Sequence, residues 1–372
     1  MKKCPLWLIF VIDTLAGAFL LCVFCYFHHV RVLLNIGGAG KSDDTVSVIT
    51  KPAWIEDGEN PGDTFASESL YDTGSSDDQP VQSDLPGGTE NPNETAEPPS
   101  SEESDGEYDM SGQFGAKFGQ MFLKKGEDAV STDTQYITND VRIDFCKRSE
   151  SIAGEDIVYY YYDIYIRNIE SFYVNYDISE RNYFEDLLTL NGKSAPAAAI
   201  SGDFCGNTNS AKEVIKNGVE ERASYYVNFD VAVLYWNGTF ETITTADYDR
   251  PAILQKAPYQ LWNFGPALLS EDGGIIESFS SEYLSKRHPR SVIGYYEPGH
   301  YCFVTVDGRN SETEGISLPA LSHLMSSLGC KAAYNLDGGS SVYSYFNGNF
   351  VRYTDEGRQE NPRKIYDIIC IG

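Results

Sequence analysis

Histidine is scarce in this sequence. Five occur in 372 residues, and two of them, His28 and His29, follow an apolar run near the N-terminus. No G-x-S-x-G segment occurs either, which argues against a hydrolase built on a Ser–His–Asp triad. His288, His300 and His323 have no metal-ligand spacing and read as surface or core residues. Basic residues are few as well: 28 Lys and Arg stand against 55 Asp and Glu, for a formal charge of −27. Such a chain repels nucleic acid and anionic membrane surfaces at long range, so neither is expected as a partner. Methionine falls to 4 while tyrosine reaches 26, a balance that fits a strand-rich domain better than a helical bundle. Cys22 and Cys25 have C-x-x-C spacing but lie in the apolar run with Cys4 close by. Cys146, Cys205, Cys302, Cys330 and Cys370 show no such pairing, which argues against zinc-binding and thioredoxin-like sites. The second group is odd in number, and buried free thiols are expected for most of it.

What is present divides the chain into three parts. Residues 1–30 hold Met1-Lys2-Lys3 and an apolar run from Leu6 to Phe27. A bilayer needs about 20 apolar residues, so this run is long enough to span one. It is too long for an ordinary signal peptide and has no small-residue cleavage site after it. The expectation is a single membrane span, with the basic N-terminus cytoplasmic and the rest of the chain outside the cell. Residues 31–113 are expected to be a disordered acidic linker. Between 42 and 109, 19 Asp and Glu stand against one Lys, with many Ser, Pro, Gly and Asn. Such a segment buries too little apolar surface to offset its ordering entropy, and its charges repel one another. Residues 114–372 are expected to fold as one α+β domain of strands with a few interspersed helices.

Within that domain, Tyr136–Cys146 and Asp156–Arg167 read as strands, the second being β-branched and aromatic almost throughout. Tyr225–Leu234 and Phe240–Ile243 read as a hairpin around Asn237-Gly238. Ser317 to Leu328 is the clearest helix. Ser317 can cap it, and Leu318, Leu321, Leu324, Met325 and Leu328 recur on one face. Ile365–Ile371 closes the chain as a buried strand.

The stretch Asn335-Leu336-Asp337-Gly338-Gly339-Ser340-Ser341 ends an apolar run in a carboxylate, two glycines and two hydroxyls. Three more strand-ends share its character: Gly202-Asp203, Pro289-Arg290 and Asp307-Gly308-Arg309. If the four converge, they assemble three carboxylates and two guanidinium groups. Arginine forks hold phosphate bidentately, and carboxylates act as base, nucleophile or metal ligand. The expected chemistry is therefore on a phosphorylated substrate. A divalent cation is left open, and no organic cofactor is expected.

In order along the chain, these segments resemble the phosphodiester glycosidase family. Ala199-Ile200-Ser201-Gly202-Asp203-Phe204 resembles its A-I-N-G-D-F segment, and Phe264-Gly265-Pro266 its F-G-P. Pro289-Arg290-Ser291-Val292-Ile293-Gly294 resembles P-R-T-A-I-G. Asp307-Gly308-Arg309 followed by Glu314-Gly315 resembles the D-G-R block, and Asn335 to Ser341 resembles N-L-D-G-G-G-S. The resemblance runs from about Phe114 to Gly372. Ser201 departs from the usual Asn, and Ser340 from the usual third Gly. The resemblance implies hydrolysis of a sugar-1-phosphodiester between the anomeric carbon and its oxygen. For a membrane-anchored, outward-facing chain, the substrate would be a cell-envelope or extracellular polymer. A binding module without turnover and an enzyme cutting at phosphorus are the alternatives. In this reading Arg290 and Arg309 take the phosphate, and Asp337 is nucleophile or base. Asp203 and Asp307 support it or bind a cation. Gly202, Asn335, Ser340, Ser341 and the N–H groups of Gly338 and Gly339 line the substrate.

Overall fold

The computed structural model describes residues 47–52, 106–207, 212–279, 286–352 and 360–372. The chain divides into two units, Met1–Ser47 and Val48–Gly372, and the second holds every predicted site residue. The apolar run Leu6–Phe27 lies outside the described residues, as does most of the expected linker. Among the described residues no helix is long and apolar enough to cross a membrane.

Strands dominate the second unit and helices are few, a mixed α+β architecture. Its longest hairpin pairs Val141–Ile152 with Glu155–Ile166, antiparallel and in unbroken register from Val141 opposite Ile166 to Ile152 opposite Glu155. Side chains alternate across a strand. Tyr160, Tyr162, Ile164 and Ile166 accordingly enter one core cluster, and Ile157 and Tyr159 enter another. A strand apolar on both faces must be covered on both. The hairpin belongs to a seven-stranded antiparallel sheet that begins Ala332–Asn335, Arg290–Glu297, His300–Val306, Glu155–Ile166. One face packs on a five-stranded sheet, from which Ala198, Ile200, Phe346 and Ile369 join the first cluster. The other face is covered by the helix Leu318–Ser327, through Leu318, Leu321, Leu324 and Met325. Ser317 caps that helix, its Oγ accepting from Ala320 N–H at 3.4 Å. A further sheet holds Val214–Lys216, Pro258–Trp262, Val231–Tyr235 and Phe240–Ile243 in that order.

The sequence reading needs three corrections. The strand expected over Tyr136–Cys146 is two strands, Gln135–Ile137 and Val141–Ile152. Thr138 turns the chain between them, its hydroxyl accepting from Val141 N–H at 3.1 Å. The strand expected from Tyr225 begins at Val231, and Tyr225 and Tyr226 are exposed. Parts of the stretch expected as linker also bond to the domain. Ile49 donates its N–H to Gly218 O at 2.6 Å and accepts from Trp236 Nε1 at 2.9 Å. Arg167, itself buried, donates to the carbonyls of Asp109 and Ser111. These backbone groups find protein partners, which offsets the ordering entropy that composition alone would leave uncompensated.

Candidate functional site

Strand register gathers the predicted ends. Arg290 stands opposite Val306, the residue before Asp307, and Val292 stands opposite Asn335 on the other side. The start of the central strand therefore lies beside the C-terminal ends of both neighbours. The second sheet joins at the same place. Asp337 donates its N–H to Gly202 O at 3.0 Å, and Ser291 Oγ donates to Ser201 O at 3.3 Å. Ser201 is a structural link: its hydroxyl donates to Ser341 O and accepts from Tyr343 N–H at 2.9 Å.

A cleft in two chambers opens over these ends. The smaller, about 180 Å³, is lined by Arg290, Arg309, His288, Asn335 and the Gly338–Ser340 turn. The larger, about 610 Å³, is lined by Phe204, Phe229, Phe264, Lys212, Asn228 and Asp230, among others. Asp337, Phe264 and Arg363 line both. One chamber is thus basic and phosphate-sized. The other is aromatic with scattered polar groups, the usual make-up of a small-molecule site. A separate cavity of about 510 Å³ beside Phe240 and Lys331 contains none of the predicted site residues.

Asp337 is set between the chambers. Burial raises its pKa above the usual aspartate range, although Ser341, Arg363, Lys212 and the Gly338 N–H pull it back. The Ser341 hydroxyl is buried and has no hydrogen-bond partner among the described residues. Asn335 donates from Nδ2 to Gly265 O at 2.8 Å, and its buried Oδ1 has no hydrogen-bond partner among the described residues. Arg309 donates to Ser340 Oγ at 3.2 Å and to His288 Nδ1 at 3.2 Å. Ser340 therefore steadies a guanidinium of the small chamber. His288 was read from sequence as a surface or core residue; here it faces that chamber. Burial lowers its pKa, and Arg290, Arg309 and Lys286 lower it further, so it is neutral at pH 7.

Several expected roles are not met. The Gly339 N–H donates to Pro289 O at 2.9 Å, so it is not offered to a ligand. Gly202 lines neither chamber. Asp307 is paired with the buried Arg352, whose Nε donates to Oδ1 at 2.9 Å. Asp203 is buried in an ion-paired cluster beneath the cleft. Lys216 Nζ lies 3.1 Å from Asp203 Oδ1 and 3.4 Å from Asp367 Oδ2, and all three are buried. Burial alone would raise the Asp203 pKa, but Lys216 and Lys212 hold it below the usual value. Burial and the neighbouring Asp203 push Asp367 up to about 6. Donor atoms of Asp203, Cys205 and Asp367 lie within 4.8 Å of one another, as metal ligands do. The Lys216 ammonium already supplies the positive charge there. The two carboxylates expected to bind a cation are thus each satisfied by a protein base. Sequence reasoning missed Lys216, Asp367, Lys212 and Arg363, none of which stands in a motif that marks it.

The comparisons with known proteins bear on this geometry. Residues 194–372 match the phosphodiester glycosidase family. The match covers just under half of the chain and includes every predicted site residue. The strands from Val130 to Tyr176 precede the segment that matches the phosphodiester glycosidase model. A curated relative, the SPbeta prophage-derived uncharacterized protein YomE of Bacillus subtilis strain 168, is 27% identical over 161 residues. That alignment takes in 42% of this chain and 24% of YomE, so the chain spans about a quarter of the curated relative it matches. Among solved structures, the zebrafish N-acetylglucosamine-1-phosphodiester alpha-N-acetylglucosaminidase catalytic domain, auto-inhibited by its pro-peptide, superposes with a TM-score of 0.51 at 16% identity. It covers 66% of this chain and 87% of the zebrafish chain. At that identity the likeness is one of fold.

Proposed function

We propose that this chain hydrolyses a sugar-1-phosphodiester at the bond between the anomeric carbon and oxygen. One observation carries the reading: a carboxylate, Asp337, stands where a small basic chamber meets a larger aromatic one. The phosphodiester lies in the first against Arg290, Arg309 and Arg363. The sugar lies in the second, its apolar face on Phe204 or Phe264. The anomeric carbon then falls at the junction, in front of Asp337. A phosphate monoester is a good leaving group, so little protonation is needed. The arginines stabilise the charge that develops on it, and Asp337 attacks or activates water. His288 holds Arg309 in place by accepting a hydrogen bond from its guanidinium at Nδ1.

The apolar run Leu6–Phe27 and the lysines before it support a membrane anchor with the domain outside, acting on envelope or extracellular polymers. Protection of the domain from protease added to intact cells would refute that placement.

The test is product analysis with the full-length chain and an N-acetylglucosamine-1-phosphodiester, the class named by the zebrafish relative, beside a panel of other sugar-1-phosphodiesters. Free sugar is expected from wild type, with Asp337→Asn slower by about a thousandfold or more, the scale of a lost acid–base group. Sugar phosphate as product would move the cut to phosphorus. Binding without any product would identify a binding module.

A further inference from the structure

Two free thiols meet on the helix-covered face of the seven-stranded sheet. Cys302 lies on the strand His300–Val306, and Cys330 follows the helix Leu318–Ser327. Both are buried, and their sulfurs are 3.6 Å apart. The strand Arg290–Glu297 runs between the two elements, with Gly294 opposite Cys302 on one side and opposite Ala333 on the other. A Cβ on Gly294 would stand 2.5 Å from Cys302 Sγ and 2.7 Å from Cys330 Sγ. The missing side chain is what lets the sulfurs approach across an intervening strand. Disulfide sulfurs are about 2.05 Å apart, so the two sulfurs must close by about 1.5 Å to bond.

We propose that Cys302 and Cys330 form a disulfide across Gly294 when the chain folds in the presence of an external disulfide such as oxidised glutathione. One protein thiol loses its proton and attacks the external disulfide, giving a mixed disulfide and one released thiol. The second then displaces the other half as a second thiol. The two protein thiols are oxidised, the external disulfide is reduced to two thiols, and the two protons pass to those products. Both thiols are buried in the folded chain, which shields them from an external disulfide, and burial raises the Cys302 thiol pKa. The bond is therefore made during folding. It ties the strand that leads to Arg309 to the segment that leads to Asp337.

The experiment refolds the denatured, reduced full-length chain with reduced and oxidised glutathione. Remaining thiols are then alkylated, and the unreduced digest is read by mass spectrometry. A peptide pair joined through Cys302 and Cys330 is expected, with Cys146, Cys205 and Cys370 alkylated. The oxidised chain should melt roughly 5–10 °C above the reduced one, from the closure of this loop in the unfolded state. That difference should vanish in Cys330→Ala, and in Cys302→Ala should the first variant fail to fold. Alkylated Cys302 and Cys330 in refolded, cooperatively melting protein would overturn the proposal, as would pairing of either with another cysteine.

Discussion

Burial acts on Asp337 more strongly than the cations around it, so its pKa is raised. The sign matters for the rate. A nucleophile or base must be ionised, and a raised pKa postpones ionisation to higher pH. The acid limb of kcat/KM is therefore expected above the pH at which an ordinary aspartate titrates, and Asp337→Glu and wild-type profiles measured side by side would show whether the limb belongs to this group. Arg309 makes a different prediction. Its planar fork is steered by Ser340 and His288, and lysine cannot reproduce that geometry. In the proposed reading the phosphate is held before and during reaction, so Arg309→Lys should raise KM for the phosphodiester by roughly tenfold or more with a smaller effect on kcat. Asp337, Arg290 and Arg309 stand out in the sequence because each sits at a strand end beside a turning backbone, and the structure places all three on the cleft. Asp203 and Asp307 looked the same in sequence but serve as structural anions. Their partners, Lys216 and Arg352, are 13 and 45 residues away, and no local pattern announces such a pair.

Elements were legible where one period dominated. The helix Leu318–Ser327 follows from spacing, and the strand Glu155–Ile166 from a run of β-branched and aromatic residues. The break at Thr138 was hidden by apolar residues on both sides, and hydrogen bonds decided it rather than hydropathy. The cluster of Asp203, Lys216 and Asp367 shows how elements from two sheets are fastened together. Lys216 ends the short strand Val214–Lys216, and Asp367 begins the closing strand. Lys216→Met would leave two carboxylates buried without their base, and a loss of about 3–5 kcal/mol is expected in denaturant unfolding. Gly202→Ala should be comparably damaging for a steric reason, because its Cβ would fall 1.9 Å from Asp367 Oδ2. A tolerated alanine at 202, with an unchanged unfolding midpoint, would contradict that packing.

For the molecule as a whole, buried acids shape the dependence of stability on pH, Glu213 and Asp367 among them. Burial pushes Glu213 up to about 7, despite Arg250 beside it at 3.1 Å. The folded state thus holds a proton that the unfolded state releases near its ordinary pKa of 4.5. The contribution is full at low pH and is lost as pH rises from about 4.5 to about 7, by an amount on the order of 3 kcal/mol. Glu213→Gln should flatten that part of a melting-temperature profile. Chelation should leave activity unchanged, since Lys216 and Arg352 already neutralise the acids that a cation would need. What composition could not reveal at this scale was the docking of Ile49 and Lys51, whose partners Gly218, Trp236 and Glu170 lie far along the chain.

The unequal chambers have one more consequence. A polymer of alternating sugars and phosphates has a direction, because each phosphate joins an anomeric position on one side to a different hydroxyl on the other. A cleft that takes a ring only in the wide part and a phosphate only in the narrow part reads such a strand in one sense. Turned end for end, the same linkage would bring a non-anomeric carbon to Asp337, and the strand would be held without being cut.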